Sequence, residues 1–343
     1  MKTLSVTIIC KDEEDNLVRL LPKLTFANQV VVTDTGSADG SADVAHRYAD
    51  VCFYKWRDDF SKARNYCLSK ATGDYVMWLD ADDDLPTETI DCIKNWLADD
   101  RQCQDFVYLK YRMGESSQFW FWRERIIRKC PECRFKGFIH EAIPPFGQVH
   151  YLNCDVIHVS RADHSQRNLD IYRKALSKGR RFTLRDKFYY ARTLADCGLY
   201  DEALPILVRF CSNERAYAAD RTQGYKMLAR NCIKNADCKQ AAYYLSKSVA
   251  ILPPDSEVCC LFGDVEYLKG NYLYATRWYE YALTSRMRVG FVNDYYQTFY
   301  PNVQLSVCWW RLGDFRQAKF YHKTVKALYP DNETVLSNDK WFV

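Results

Sequence analysis

The chain has 343 residues and a formal net charge of +4, with 48% apolar and 27% charged residues. This length suffices for two domains that each bury a core of their own. Because the net charge is small and no segment carries a dense run of Lys and Arg, the composition argues against a nucleic-acid-binding protein. The sign of the charge favours an anionic substrate or a membrane surface only weakly.

The first residues predict a cytoplasmic protein. The apolar run in 1–10 is too short for a signal peptide, and the charged segment 11–14 follows it at once. No window approaches the ~18 apolar residues of a membrane-spanning helix. We therefore expect the 15 cysteines to be reduced and mostly buried. The one close pair, Cys130 and Cys133, is weak evidence for a zinc or redox site.

The order of the predicted elements indicates an α/β domain followed by a helical domain. Strand patterns at 4–9, 29–33, 51–54 and 75–79 alternate with helical patterns at 15–24, 40–48, 61–70 and 86–97. Continuous apolar strands in this order predict a mostly parallel sheet that is covered on both faces. Strand-like, aromatic-rich segments from 105 to 160 look like the second half of the same domain. The predicted boundaries are 1–175 and 176–343.

From residue 166 onward every predicted element is a helix, and four short segments share one pattern. Each has a small residue, then a turn, then an Ala five places on that begins a second helix; they lie at 198–203, 236–241, 270–275 and 313–318. Their spacing scatters about the ~34 residues of a tetratricopeptide array. Over about 187–331 the chain therefore resembles tetratricopeptide repeats, in which small residues let antiparallel helices pack closely.

Four carboxylates cluster at the end of a strand that is predicted to be buried. Asp80, Asp82, Asp83 and Asp84 follow the apolar run 75–79. So many like charges repel one another unless a cation or solvent relieves them. Mg²⁺ and Mn²⁺ take oxygen ligands and share them with substrate phosphates. We therefore predict a divalent-metal site here, at the strand end where open α/β sheets bind ligands. A solvated acidic turn that caps the next helix is the alternative.

Two further segments indicate nucleotide binding at the same edge of the sheet. The segment 34–41 (DTGSADGS) ends the second strand and opens a helix, so backbone N–H groups face this edge and Asp34 could bond a base. In 60–65 (FSKARN), the planar fork of Arg64 could reach a phosphate. An ordinary capped turn and a surface cation are the alternatives. Without GxGxxG or a Walker lysine, a dehydrogenase or P-loop enzyme is not supported.

In this order and spacing, the motifs resemble family-two glycosyltransferases of the A-type fold. They are KDEE at 11–14, DTGSADG at 34–40, DDFSKARN at 58–65, WLDADDD at 78–84, RERIIRK at 123–129, FKGFIHE at 135–141, IHVS at 157–160 and QRNLDIY at 166–172. The resemblance covers about residues 3–175. It implies a Rossmann-like mixed sheet, a UDP-sugar donor, and Mn²⁺ or Mg²⁺. Similar enzymes with appended helical repeats glycosylate peptides or proteins, and relatives glucosylate lipopolysaccharide cores.

The resemblance assigns four residues to the nucleotide. Asp34 would hold the uracil ring, and Glu13 would line the base pocket. Arg64 would contact the nucleotide, and Asp80 would hold the ribose or a metal-bound water. One position departs from the family pattern, because Asp12 stands where Asn is usual. That change removes a hydrogen-bond donor but none of the proposed ligands.

The resemblance also implies a metal site and a reaction. Asp82 would bind the metal, and His158 would complete the metal or diphosphate site, unless it is only a hydrogen-bonded histidine at a strand end. In an inverting displacement at the anomeric carbon, a carboxylate takes the proton of the acceptor. Glu141, beside His140, is the predicted base; it could instead orient the acceptor or pair with an Arg. Asp84 stands where Glu is commoner.

The acceptor and two other functions remain open. A peptide, protein, glycan or lipopolysaccharide acceptor fits the helical repeats, which could also form a homo-oligomer. The aromatic residues Trp120, Phe121 and Trp122 could stack on a sugar or belong to the core. One alternative function is a catalytically inactive scaffold whose repeats bind a peptide partner. The other is a nucleotidyltransferase, although the segment 8–14 lacks the Gly-rich loop that such an enzyme would need.

Overall fold

The computed structural model describes residues 2–114, 117–159, 163–287 and 290–342. It divides the chain into two compact units, Met1–Ile171 and Tyr172–Val343. Ser160, the last residue of the motif at 157–160, lies outside the described residues. All 15 cysteines are free thiols.

The first unit contains a sheet of eight strands. They are β1 (Leu4–Cys10), β2 (Gln29–Asp34), β3 (Asp50–Phe53), β4 (Tyr75–Asp80), β5 (Asp83–Asp84), β6 (Phe106–Met113), β7 (Phe119–Arg128) and β8 (Val149–His158). Their order across the sheet is β3-β2-β1-β4-β7-β6-β8-β5. The first four strands in this order are parallel. Because β7 is antiparallel to both β4 and β6, and β5 is antiparallel to β8, the sheet is mixed, which confirms the predicted fold class.

Helices cover both faces of this sheet, or share them with loops. They are α1 (Glu14–Leu20), α2 (Ser41–Ala45), α3 (Phe60–Leu68), α4 (Thr87–Ala98) and α5 (Ser165–Ser177), which continues into the second unit. The alternation of side chains along β4 shows why both faces are buried. Met77 packs in one apolar cluster with residues of α1 and α4. Trp78, the next residue, packs in another cluster with Leu68 of α3 and Phe135.

The second unit consists of helical hairpins. Its elements are α6 (Leu184–Asp196), α7 (Tyr200–Cys211), α8 (Ala218–Lys234), α9 (Cys238–Val249), α10 (Ser256–Leu268), α11 (Tyr272–Thr284), β9 (Phe291–Asn293), α12 (Phe299–Arg311), α13 (Phe315–Leu328) and α14 (Glu333–Asn338). The pairs α6/α7, α8/α9, α10/α11 and α12/α13 match the predicted repeats. The short strand β9 was not predicted. No helix in the described parts of the chain is long and apolar enough to cross a membrane.

The small residue of each repeat has a backbone cause. Gly198, Gly270 and Gly313 have φ angles of +77°, +80° and +81°, and Ala236 has +57°. The left-handed conformation ends the first helix of each hairpin, and glycine adopts it at the lowest cost. The alanines that open the second helices are fully buried, at 203, 241, 275 and 318. A larger side chain there would separate the paired helices.

Candidate functional site

Three of the sequence motifs meet at one edge of the sheet because their strands are neighbours. Strand β1 lies between β2 and β4, with Cys10 opposite Asp34 and Ile9 opposite Asp80. All three strands run in the same direction, so their carboxyl ends share an edge. The segments that follow these strands, 11–14, 34–41 and 80–84, therefore lie side by side.

The turn after β2 is held in place by carboxylates. Asp34 Oδ1 accepts hydrogen bonds from the backbone N–H groups of Gly36 (2.7 Å) and Ser37 (2.8 Å). Gly36 has φ +113°, a conformation that other residues rarely adopt. Asp12 Oδ1 accepts a third hydrogen bond from Ala38 N (2.7 Å), which joins this turn to the segment after β1. Asp12 thus acts as an acceptor, a function that its carboxylate serves without the amide group of Asn.

Glu13 lies in the electric field of the acidic residues after β4. Its backbone N–H donates to Ser41 Oγ (2.8 Å), and its Oε2 accepts from Asn16 Nδ2 (2.6 Å). Burial raises the pKa of Glu13, the hydrogen bond from Asn16 opposes this, and the negative charges of Asp82 and Asp80 raise the pKa further. A cation or a polar ligand that enters this edge would relieve that repulsion.

Helix α3 is anchored at both ends of the FSKARN segment. Asp59 caps its N-terminus by accepting a hydrogen bond from Lys62 N (3.1 Å). One turn later, the side-chain amide of Asn65 donates to the carbonyl oxygen of Phe135 (3.0 Å) and accepts from its N–H (2.9 Å). These contacts fix the position of Arg64, which lies between them on the helix.

Arg64 joins two of the predicted site carboxylates. Its Nε donates to Glu141 Oε1 (2.6 Å), its Nη2 donates to Asp80 Oδ1, and its guanidinium lies 4.6 Å from the centre of the Trp78 ring. Burial would lower the pKa of Arg64, but the two carboxylates raise it above its usual value. The pKa of Asp80 is held low by Arg64 against the effect of burial. The predicted contact of Arg64 with the nucleotide stays a prediction, since two carboxylates already occupy its fork.

Asp83 is a buried structural carboxylate. Its side chain is fully buried; Oδ2 lies 3.1 Å from Nη2 of the equally buried Arg125 and accepts a hydrogen bond from Asp80 N (2.9 Å). The hydroxyl of Tyr111 lies 2.9 Å from Oδ1. Burial raises the pKa of Asp83 and the charge of Arg125 opposes this. With both oxygens engaged, Asp83 shapes the turn after β4.

Asp82 and His158 form the centre of the candidate metal site. Strand pairing sets Asp83 opposite His158, and Val159 N donates to the carbonyl of Asp82 (2.9 Å). His158 Nδ1 lies 3.5 Å from Asp82 Oδ1. Ligand atoms of Asp82, Asp83 and His158 all lie within 4.8 Å of one another. This donor set fits Mg²⁺ or Mn²⁺, which keep few protein ligands and share carboxylates with substrate phosphates.

Electrostatics at this site favour a cation. Burial lowers the pKa of His158, but its hydrogen bonds to Asp82 and Asp83 raise it to about 10. In the absence of a metal, the imidazole thus takes up a proton and partly neutralises the carboxylates. A bound divalent cation would replace that proton.

Arg167 on α5 is a further cation near the acidic edge. Its guanidinium lies 5.5 Å from the ring of Phe60. Burial lowers the pKa of Arg167, and the charges of Asp82 and Glu13 raise it. A partly buried arginine within the field of these carboxylates is well placed to bind a diphosphate.

Four residues of this site had no role in the sequence analysis. They are Asp83 as a structural carboxylate, Tyr111, Arg125 and Arg167. Two of them lie inside motifs that the sequence analysis quoted, RERIIRK for Arg125 and QRNLDIY for Arg167, so a signal existed. Tyr111, in the strand-like segment 106–113, carried none.

The aromatic residues of β7 point to both faces of the sheet. The ring of Phe121 packs edge-on against Tyr111, at 5.4 Å, on the face of the candidate site. Trp120 and Trp122 lie on the other face, where Trp122 packs edge-on against Tyr151 (5.0 Å). Trp120 is buried. The three rings therefore cannot line one sugar-binding surface together.

Comparison with known proteins identifies the first unit. Residues 5–152 match the sequence model of Glycosyl transferase family 2. The TPR repeat-containing protein Synpcc7942_0270 of Synechococcus elongatus is 31% identical over 145 residues, which is 42% of this chain. The matched region spans 36% of that curated relative, about a third of its length.

Similar solved structures fall into two groups. TTC0263, a thermophilic TPR protein of Thermus thermophilus, has a TM-score of 0.37 and 16% identity, and the match covers 52% of this chain and 90% of that chain. TarS of S. aureus has a TM-score of 0.39 and 15% identity, and the match covers 79% of this chain and 55% of that chain.

Proposed function

Residues 5–152 carry a glycosyl transferase family 2 domain, and from this premise we propose that the chain is an inverting glycosyltransferase. It moves a sugar from a UDP-sugar to a peptide, protein, glycan or lipopolysaccharide acceptor with the help of Mn²⁺ or Mg²⁺. The observation that carries this proposal is the approach of Asp82 and His158, 3.5 Å apart, at the strand edge where Glu13 and Asp80 also converge.

The donor binds along this edge. Asp34 accepts a hydrogen bond from the uracil ring, and Glu13 lines the base pocket. The turn after β2 supports this arrangement, because Asp34 Oδ1 already holds the turn rigid, which orients the carboxylate. Asp80 meets the ribose or a metal-bound water, and Arg64 holds Asp80 in place.

The diphosphate binds next to the metal. Asp82 and His158 hold the cation, which neutralises the charge that develops on the leaving UDP. Arg167 adds a second positive charge beside the acidic residues. The field that Asp82 exerts on Arg167 supports this role, since it shows that the two groups are close.

Glu141 takes the proton of the acceptor. The acceptor nucleophile forms a bond to the anomeric carbon, the bond from that carbon to the diphosphate oxygen breaks, and UDP leaves with the electron pair. Arg64 donates to Oε1 of Glu141, and among the described residues no donor is recorded for Oε2. The contact with Arg64 keeps Glu141 ionised and orients it, and Oε2 is the oxygen that receives the proton.

The decisive test uses Asp82. The purified protein is incubated with a panel of UDP-sugars and Mn²⁺, and UDP release is measured. We expect UDP release from at least one donor in the wild type and its loss in Asp82→Ala. Asp84→Asn is the matched control, because the Asp84 carboxylate pairs with Lys23 (2.6 Å). Equal turnover by Asp82→Ala and the wild type would refute the assignment.

Product analysis separates the alternatives. Free UDP indicates glycosyl transfer, whereas pyrophosphate indicates nucleotidyl transfer. If no donor turns over and calorimetry detects no binding of UDP with Mn²⁺, the remaining proposal is a scaffold whose helical repeats bind a peptide. The glycosyltransferase is favoured because the carboxylates, the imidazole and Arg64 are all positioned by specific contacts.

A further inference from the structure

We propose that Tyr111 is a positioning residue that orients His158, so that Nε2 and not Nδ1 of this histidine binds the metal. The inference rests on the proposed function, in which His158 is a metal ligand. It adds to that function a residue that directs the imidazole.

The hydroxyl of Tyr111 lies at the centre of the site. It is 2.9 Å from Asp83 Oδ1, 3.0 Å from His158 Nδ1 and 3.5 Å from Asp80 Oδ2. Tyr111 projects from β6 between the elements that carry these residues. No neighbouring side chain of the described chain joins the same three groups.

The position of the Tyr111 ring is fixed by packing. The side chain is only 8% exposed, the guanidinium of Arg125 lies 4.3 Å from its ring centre, and Phe121 packs edge-on at 5.4 Å. The ring thus has little freedom to turn away from His158. A hydroxyl on a fixed ring is a precise hydrogen-bonding partner.

Counting protons shows which nitrogen of His158 is free. Asp83 forms an ion pair with Arg125, and an ionised carboxylate can only accept hydrogen bonds. Tyr111 therefore donates its single proton to Asp83 Oδ1. Its oxygen can then only accept from His158, so Nδ1 carries a hydrogen.

The other acceptors around the imidazole agree with this count. Asp82 Oδ1 lies 3.5 Å and Asp83 Oδ1 lies 3.8 Å from the same Nδ1. Acceptors therefore surround Nδ1, and the lone pair for a metal is on Nε2. Metal-binding histidines commonly use their second nitrogen in this way, which fixes the tautomer and the ring orientation.

The first test identifies the ligating nitrogen in the wild-type protein. The protein is labelled with ¹⁵N in histidine and loaded with ¹¹³Cd²⁺ in the presence of UDP. We expect a one-bond ¹⁵N–¹¹³Cd coupling at Nε2 of His158, assigned by comparison with His158→Gln. Coupling at Nδ1 would overturn the inference and leave the proposed metal site intact.

The second test removes only the hydroxyl. Calorimetry measures Mn²⁺ binding, with UDP present, for the wild type, Tyr111→Phe and the control Tyr108→Phe. Tyr108 lies on the same strand and its ring stacks on Tyr151. We expect Tyr111→Phe to weaken Mn²⁺ binding by roughly 10- to 100-fold, the usual effect of losing a hydrogen-bonding partner of a metal ligand. Tyr108→Phe should bind as the wild type does.

Three outcomes are decisive. Unchanged Mn²⁺ affinity in Tyr111→Phe would refute the positioning role, whereas weakened affinity at an unchanged thermal unfolding midpoint supports it. If Tyr111→Phe unfolds at a lower temperature, the cadmium experiment on the wild type decides alone. If the wild type binds neither Mn²⁺ nor Cd²⁺, both the metal part of the proposed function and this inference fail.

Discussion

The carboxylates of the segment 80–84 differ in what they contact. Asp83 is buried against Arg125, and Asp84 pairs with Lys23 near the surface. Asp80 is held by Arg64, which leaves Asp82 facing His158. Four acidic residues in one run thus provide one metal ligand, one ligand-facing carboxylate and two structural contacts.

The role of Glu141 can be tested with an isosteric substitution. Glutamine keeps an oxygen that accepts from Arg64 Nε but cannot take a proton. We expect Glu141→Gln to lower kcat by roughly 10²- to 10⁴-fold, the usual contribution of a general base, while UDP still binds. Steady-state kinetics and UDP calorimetry measure the two quantities. A kcat close to that of the wild type would show that Glu141 only orients the acceptor.

Arg167 provides a separate test of the diphosphate site. Hydrogen bonds to charged groups contribute about 1.5–3 kcal/mol, so Arg167→Ala should weaken UDP binding roughly 10- to 100-fold. Arg173→Ala is the matched control, since Arg173 lies on the same helix and pairs with Glu202 (3.2 Å). Calorimetry with UDP and Mn²⁺ compares the two variants. Equal affinity in both would exclude Arg167 from the diphosphate site.

At the scale of elements, helix α3 carries Arg64 and is attached to the loop that carries Glu141. The amide of Asn65 makes two hydrogen bonds to Phe135, and Phe60 N donates to Phe138 O (2.9 Å). These contacts explain why DDFSKARN and FKGFIHE occur together: the first segment positions the second.

Removing the Asn65 side chain tests this attachment. Asn65→Ala leaves a backbone N–H and a carbonyl of Phe135 without their partner, which costs about 1–3 kcal/mol of unfolding free energy. Lys62→Ala, on the exposed side of the same helix, should cost less than about 0.5 kcal/mol. Denaturant unfolding of both variants checks the difference. If both variants unfold alike, the Asn65 contacts do not hold the helix.

At the scale of the whole molecule, the stability of the second unit should depend on pH through a buried carboxylate. Asp264 Oδ1 accepts hydrogen bonds from the hydroxyls of Tyr279 (2.7 Å) and Tyr300 (2.8 Å), which joins α10, α11 and α12. Burial raises the pKa of Asp264, and these hydrogen bonds oppose the rise. The folded state therefore holds a proton at pH values where the unfolded chain has lost it.

The sign of the effect follows from this difference. Stability from the raised pKa is fully present below the unfolded pKa of about 3.9 and is lost as the pH rises through the folded pKa. Asp264→Asn keeps an acceptor oxygen but does not titrate. We expect the wild type to lose unfolding temperature relative to Asp264→Asn as the pH rises from about 4 to about 7, as measured by calorimetry. A difference that is constant with pH would contradict this.

Glu266 on the same helix is the control of opposite sign. Burial would raise its pKa, but Lys269 and Asn271 lower it overall. Stability from a lowered pKa is present at neutral pH and is lost as the pH falls through the folded pKa. The unfolding temperature of the wild type should therefore fall relative to Glu266→Gln on acidification, the reverse of the Asp264 comparison.

Local patterns alone predicted most of the architecture. The apolar runs of β1, β2 and β4 identified the strands, because a strand buried on both faces must be apolar at every position. The repeated small residues identified the hairpins, because a left-handed turn and a close helix pair require them. The acidic run after β4 marked the edge at which ligands bind, since like charges do not gather without a reason.

Only the tertiary structure decided how the site residues are paired. Arg64 and Glu141 are 77 positions apart in sequence and form a buried ion pair, and strand register brings His158 to Asp82. Tyr111 carried no signal, because a tyrosine in an apolar strand is typical of a core. The sequence determined which chemical groups were available, through short-range periodicity and charge. Packing determined which of them meet, because such contacts depend on distances that no local pattern encodes.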